Sequence, residues 1–218
     1  MKRYEIIVTA LVTVLVWGCC RNDCANTYII EGTVVEKATG LPCVDFDVEM
    51  EEQVLENGVL NGFFETAGTT TTDDAGFFTI SFPRKSALEY RLRINEEGWF
   101  GISQDINPDD FSPDMPVHID LESVPSAEIS VHIANQAPAT ELDRIRFRFT
   151  ENFNEYTTCG TEWMVFEGPF IDTLFNCILP GNEWMPYLYI DQSGEEDLAV
   201  ADSIFCTAFE TTTLEITY

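Results

Sequence analysis

Two-residue alternation of apolar and polar side chains runs through most of the chain, and that period predicts strands. The clearest case is Val44, Phe46, Val48 and Met50 against Asp45, Asp47, Glu49 and Glu51, one face for a core and one for water. Ile30, Gly32 and Val34 oppose Glu31, Thr33 and Val35 in the same way, and a glycine inside such a run points to close approach of another backbone. Leu88, Tyr90, Leu92 and Ile94 alternate with Glu89, Arg91 and Arg93. Between these, Asp73 and Gly76 suit the first and fourth positions of a type I turn, which predicts a hairpin joining Thr69–Thr72 to Phe78–Phe82. Glu52 to Gly68 breaks the pattern around Asn57-Gly58 and Asn61-Gly62, as an inserted loop or small hairpin would.

Pro125 marks a boundary, after which the alternation resumes. Ile129, Val131 and Ile133 form one run, and Ile145, Phe147 and Phe149 another, set against Arg144, Arg146 and Arg148. Trp163–Phe166, Phe170–Leu179, Trp184–Ile190, Leu198–Cys206 and Thr212–Tyr218 bring the total to about seven strands, the number in an immunoglobulin-like sandwich. The expected fold is therefore all-β: two tandem antiparallel β-sandwiches over residues 27–124 and 125–218, the second immunoglobulin-like.

Composition agrees. The chain has 218 residues, 45% hydrophobic and 12% aromatic, enough for two cores and too apolar for disorder. A net charge of −27 excludes nucleic acid and electrostatic docking on anionic lipid. The excess is spread over both halves, so neither is an acidic tail.

Residues 1–18 read as a targeting segment, a signal helix with Lys2 and Arg3 before the apolar run Ile6–Trp17. That run is too short to span a bilayer. Val16-Trp17-Gly18-Cys19 resembles the bacterial lipoprotein signal, which implies lipidation at Cys19, although Trp17 stands where that signal prefers a small residue. Residues 19–26 then form a tether. The resemblance implies a cell-envelope protein, at the outer membrane, with the side of the membrane left open. Cys20, Cys24, Cys43, Cys159, Cys177 and Cys206 remain, an even number that permits disulfides of undetermined pairing. No Cys-x-x-Cys pair or His at ligand spacing supports zinc.

Taken together, Ile30-x-Gly32-x-Val34, Thr39-Gly40-Leu41-Pro42, Phe46-x-Val48, Thr72-Asp73-x-x-Gly76-x-Phe78-x-Ile80 and Gly98-Trp99 resemble the carboxypeptidase regulatory-like domain family over residues 28–121. The resemblance implies a transthyretin-like sandwich for the first half and no catalytic residues. Cys43, in place of an aliphatic residue, and the long Glu52–Gly68 segment depart from the family pattern.

Candidate chemistry is sparse. His118 and His132 each sit on a predicted strand and face solvent, too few for a metallohydrolase. No Gly-x-Ser-x-Gly elbow occurs. Asp105-Ile106-Asn107-Pro108-Asp109-Asp110 begins like a calcium loop but has Asp110 where glycine is required and Pro116 where the bidentate glutamate belongs, so a solvated acidic loop is the better description. Arg144, Arg146 and Arg148 offer a cationic column for an acidic partner, although pairing with the protein's own carboxylates is the commoner use of such a column. Tyr187 and Tyr189 share a strand face and, with Trp163 or Trp184, would suit a glycan platform, although aromatic residues more commonly fill cores. The expectation is a non-enzymatic envelope lipoprotein without cofactor, binding or assembling with a protein partner. The alternatives are a glycan-binding surface lipoprotein in nutrient capture, or an enzyme whose site the sequence hides.

Overall fold

The structure, a computed structural model, describes residues 27–56, 59–60, 62–113, 115–136, 139–151 and 156–218. The targeting segment, Cys19, the tether with Cys20 and Cys24, and the Asn57-Gly58 turn lie outside the described residues. The chain is all-β, with a 3₁₀ turn at Pro108–Asp110.

The first unit is built on β1 (Thr27–Glu36), whose Tyr28, Ile30 and Val34 are buried while their neighbours are not. It pairs antiparallel with β5 (Phe77–Pro83) and parallel with β8 (Pro116–His118) and β9 (Leu121–Ser123). The facing sheet holds β2 (Asp47–Glu56), which pairs antiparallel with β3 (Val59–Leu60), β4 (Glu65–Thr71) and β6 (Ala87–Ile94). β7 (Ile102–Ile106) extends that sheet beyond β6. Val48, Met50, Phe78, Phe82, Tyr90 and Leu92 fill the space between the sheets.

The second unit repeats this scheme. β10 (Ser126–Ala134) pairs antiparallel with β13 (Asp172–Pro180) and parallel with β16 (Thr211–Thr217). Opposite lies the order β12 (Met164–Glu167), β11 (Arg144–Phe149), β14 (Glu183–Asp191), β15 (Leu198–Cys206). Ile129, Ile133, Ile145, Phe147, Phe149 and Leu179 form its core. With the two-residue β3 left out of the count, the first strand of each unit lies between the fourth and the closing strand or strands, and the second strand lies between the third and the fifth.

Two expectations need correction. An immunoglobulin sandwich sets its first strand beside its second, whereas β10 has β13 and β16 as neighbours, so the second unit follows the strand order of the first. Strand number alone does not carry strand order. The predicted hairpin is also not a hairpin. Its turn forms, with Gly76 N donating to Asp73 O at 2.8 Å and Asp73 Oδ1 accepting from the N–H groups of Ala75 and Phe77. Its two strands nevertheless belong to opposite sheets, β4 beside β2 and β5 beside β1. They cross where Gly68 has no side chain, since a Cβ there would lie 2.7 Å from Ile80. The turn closes the sandwich at its edge. Gly32 behaves as its place in the strand suggests, for a Cβ on it would meet the carbonyl oxygen of Ile119 at 1.7 Å.

The two cores meet at a stitched junction. Trp99 contacts Phe46 of the first unit at 4.9 Å and Phe209 of the second at 5.4 Å between ring centres. Ser126 donates through both N and Oγ to Gly98 O, and Asn182 donates to Glu36 at 2.7 Å. Gly181 is required there, because a Cβ would fall 2.5 Å from Ala208 Cα.

Candidate functional site

Strand alternation puts Ile145, Phe147 and Phe149 into the second core, so Arg144, Arg146 and Arg148 must project from the outer face of the same sheet. Register then names their neighbours, since residues directly opposite in an antiparallel pair share a face. Arg146 lies between Val165 and Ile190, and Arg148 beside Leu188. Beyond them come Ala199, Ala201 and Ser203 on β15, and the pair Trp184 and Phe205. The last two are 60% and 41% exposed, and their rings meet at 5.5 Å.

The three arginines have different partners. Arg144 Nε is 3.1 Å from Glu167 Oε1, a cross-strand ion pair. Arg146 and Arg148 have no ion pair among the described residues; both guanidinium groups stack on the Trp163 ring, 4.4 and 4.6 Å from its centre. The Nε atoms of all three arginines are buried without a hydrogen-bond acceptor among the described residues, so the tie of Arg144 to Glu167 is an ion pair by proximity. Pairing with the protein's own carboxylates therefore holds for Arg144 and not for the other two. Glu167 is the one carboxylate that the four strands direct to this face, and Arg144 occupies it.

Tyr187 and Tyr189 are not on this surface. Both point inward, packing against the second core, with Tyr187 stacked on Phe147 at 6.1 Å. Burial pushes the Tyr187 hydroxyl above its ordinary pKa, with Asp202 adding to the effect. They form no glycan platform, because the parity of β14 assigns the outer positions to Trp184, Pro186, Leu188 and Ile190.

Two of the oxygen-bearing side chains of the acidic loop are engaged by internal contacts. Asp105 pairs with Arg91 at 2.6 Å, and Asn107 caps the 3₁₀ turn by accepting from Asp109 N. Among the described residues no group of three or more His, Cys, Asp or Glu side chains is placed to hold a metal ion. His118 and His132 face outward as expected. His132 lies between two carboxylates, Glu215 at 2.6 Å and Asp172 at 2.7 Å, one on each ring nitrogen, and these hydrogen bonds raise its pKa. Cys159 and Cys177 form a disulfide, whereas Cys43 and Cys206 are buried and free.

Sequence reading missed two buried charges on β2: Glu51, expected on the water face, is buried and paired with Arg93, and Glu52 is interior. Glu52 points into the first sandwich, where its side chain is 1% exposed and ion-paired with Lys85. Beside it, burial together with the Glu52 charge pushes the Tyr90 hydroxyl up to about 12. The neighbouring cleft of about 680 Å³ is lined by Tyr28, Arg84, Lys85, Tyr90 and Asp109. Cations and carboxylates are mixed there, and they neutralise one another without singling out one ligand charge.

No family model matches the chain, and no curated protein matches it. Among solved structures it is similar to the Bacillus anthracis TIE protein, at 9% identity and TM-score 0.37, covering 88% of this chain and 34% of that one. It is similar to the shaft pilin SpaA from Lactobacillus rhamnosus GG at 13% identity and TM-score 0.36, covering 88% and 97%. It is also similar to the 3-chlorocatechol 1,2-dioxygenase from Rhodococcus opacus 1CP at 14% identity and TM-score 0.36, covering 47% and 61%. The chain thus spans about a third of the first of these proteins and under two thirds of the dioxygenase. Likenesses of this size assign no function.

Proposed function

We propose that this protein is a non-enzymatic binding or assembly module that docks an acidic protein partner on the outer face of sheet β12-β11-β14-β15. One observation carries the reading. In a chain of net charge −27, the described residues of this face include a single carboxylate, already paired, and two arginines that have no carboxylate partner among the described residues, beside Val165, Leu188 and Ile190 and with Trp184 and Phe205 further along. Depletion of acids with enrichment in Trp and Arg is the composition of interface centres, and these residue types supply most binding hot spots. Four strands about 4.8 Å apart and up to nine residues long give a face of roughly 500 Å², on which the arginines and the apolar side chains lie together. The stitched junction supports presentation of this face on a fixed two-unit arm.

In the same reading, the first unit is a carboxypeptidase regulatory-like domain, supported by the Asp73–Gly76 turn and the close approach at Gly32. The chain is held at the bacterial outer membrane by lipid on Cys19, supported by the signal pattern of residues 1–19. The test is capture from cross-linked envelopes with wild type, Arg146→Gln/Arg148→Gln and Cys19→Ala forms side by side. A partner retained by wild type and lost from the arginine variant is the expected result. Equal retention by both overturns the docking face, and a Cys19→Ala form that stays in the membrane fraction overturns the anchor.

A further inference from the structure

Resting on the docking face proposed above, we propose that its ligand is an extended acidic segment of the partner, carrying carboxylates at alternate residues with an apolar side chain following on the same face. Arg146 and Arg148 are two residues apart on one strand, so their side chains repeat at about 6.8 Å. An extended chain repeats its own side chains at that same interval, whereas neighbouring positions on a helix face stand about 5–6 Å apart. Trp163 fixes both guanidinium groups before any ligand arrives, so less side-chain entropy is lost when each forks onto a carboxylate. The cationic stretch is two residues long because Glu167 neutralises Arg144.

The apolar side of the face selects the kind of polymer. Ile190 and Leu188 lie directly beside the two arginines, and Trp184 with Phe205 lies further along. An acidic polysaccharide carries no apolar side chains to cover them, whereas a peptide does. A second copy of this chain fits poorly. Of the alternating acids on its own β2, Glu51 is held by Arg93 at 2.9 Å and Glu49 by Thr66, and two copies of charge −27 repel each other.

The experiment uses the full-length protein and three labelled peptides of identical composition, with glutamates at alternate, adjacent or i,i+4 positions and one leucine downstream. Binding is read by fluorescence anisotropy at low and at physiological salt. The alternate peptide is expected to bind about tenfold more tightly than either isomer and to weaken with salt. Arg146→Gln/Arg148→Gln, shown folded by near-UV circular dichroism, is expected to erase that preference. Equal binding of the three isomers that still depends on the arginines overturns the extended ligand and leaves the docking face intact. Binding that ignores the arginines, or no binding by any peptide together with unchanged envelope capture by the variant, overturns both. A dimer in sedimentation that the arginine variant dissolves assigns the face to a second copy and overturns the inference.

Discussion

Replacing Gly32 by alanine tests the packing logic of the first unit most directly. A Cβ there would stand 1.7 Å from Ile119 O and 2.6 Å from Ile119 C, atoms of backbone that no rotamer change can move aside. Restoring an ordinary contact of about 3.5 Å requires β1 and the segment before β9 to separate by roughly 1.5–2 Å. That displacement breaks Ile119 N to Glu31 O, now 2.9 Å, and the two bonds from Thr33 N and Oγ1 to Asp120 Oδ1, now 3.1 and 2.6 Å. At about 1 kcal/mol each, three lost bonds cost about 3 kcal/mol. Removing a glycine from the unfolded chain returns about 0.5–1 kcal/mol, leaving a net loss of about 2–3 kcal/mol. The assay is urea unfolding of the chain lacking residues 1–18, with amide exchange reporting each unit separately. The first-unit transition should fall by about 1–2 M urea while protection in β10–β16 is retained. A loss under about 1 kcal/mol would show that the β1 to β9 approach is softer than the geometry says, and would refute the reasoning.

Reduction of Cys159–Cys177 opens a loop with a sequence separation of 18, and should lower the stability of the second unit by about 3 kcal/mol, read as a drop in its melting temperature on adding dithiothreitol. The two carboxylates raise the His132 pKa, so its stabilising contribution is full below the ordinary histidine value of about 6.5 and fades as pH rises through the elevated folded value. His132→Gln should therefore cost more stability at pH 6 than at pH 9, and an NMR titration of the ring that shows no upward shift would contradict this. Burial, aided by the charge of Glu36, pushes the Cys43 thiol up to about 11, so Cys43 and Cys206 should resist iodoacetamide at pH 8 until the chain is denatured, as mapped by mass spectrometry.

The sequence by itself determined much of the local structure. Period-two alternation located most strands and their buried parity, from Tyr28, Ile30 and Val34 to Ile145, Phe147 and Phe149, because burying one face leaves the other to solvent, although Val44, which precedes β2, and Leu88, near the start of β6, are exposed where the alternation placed them in the core. Asp73 and Gly76 specified their turn, and Gly32 announced a close contact, because those requirements act over a few residues. It also named the arginine column, since parity alone puts Arg144, Arg146 and Arg148 together.

What only the tertiary structure decided concerns partners distant along the chain. Hydrogen bonding in a ladder is nearly indifferent to side-chain identity, so the strands flanking the Asp73 turn read as one hairpin although β1 and β2 claim them for opposite sheets. For the same reason the second unit's order could not be read from its strand count. Parity also leaves open which face of a tyrosine-bearing strand is interior, and register with Phe147 turned Tyr187 and Tyr189 inward. Trp163 lies 15 residues beyond Arg148 in the chain, and pairing of β12 with β11 brings its ring under two guanidinium groups. Placing an aromatic ring there, in place of a carboxylate, is what leaves those two charges without an acidic partner among the described residues.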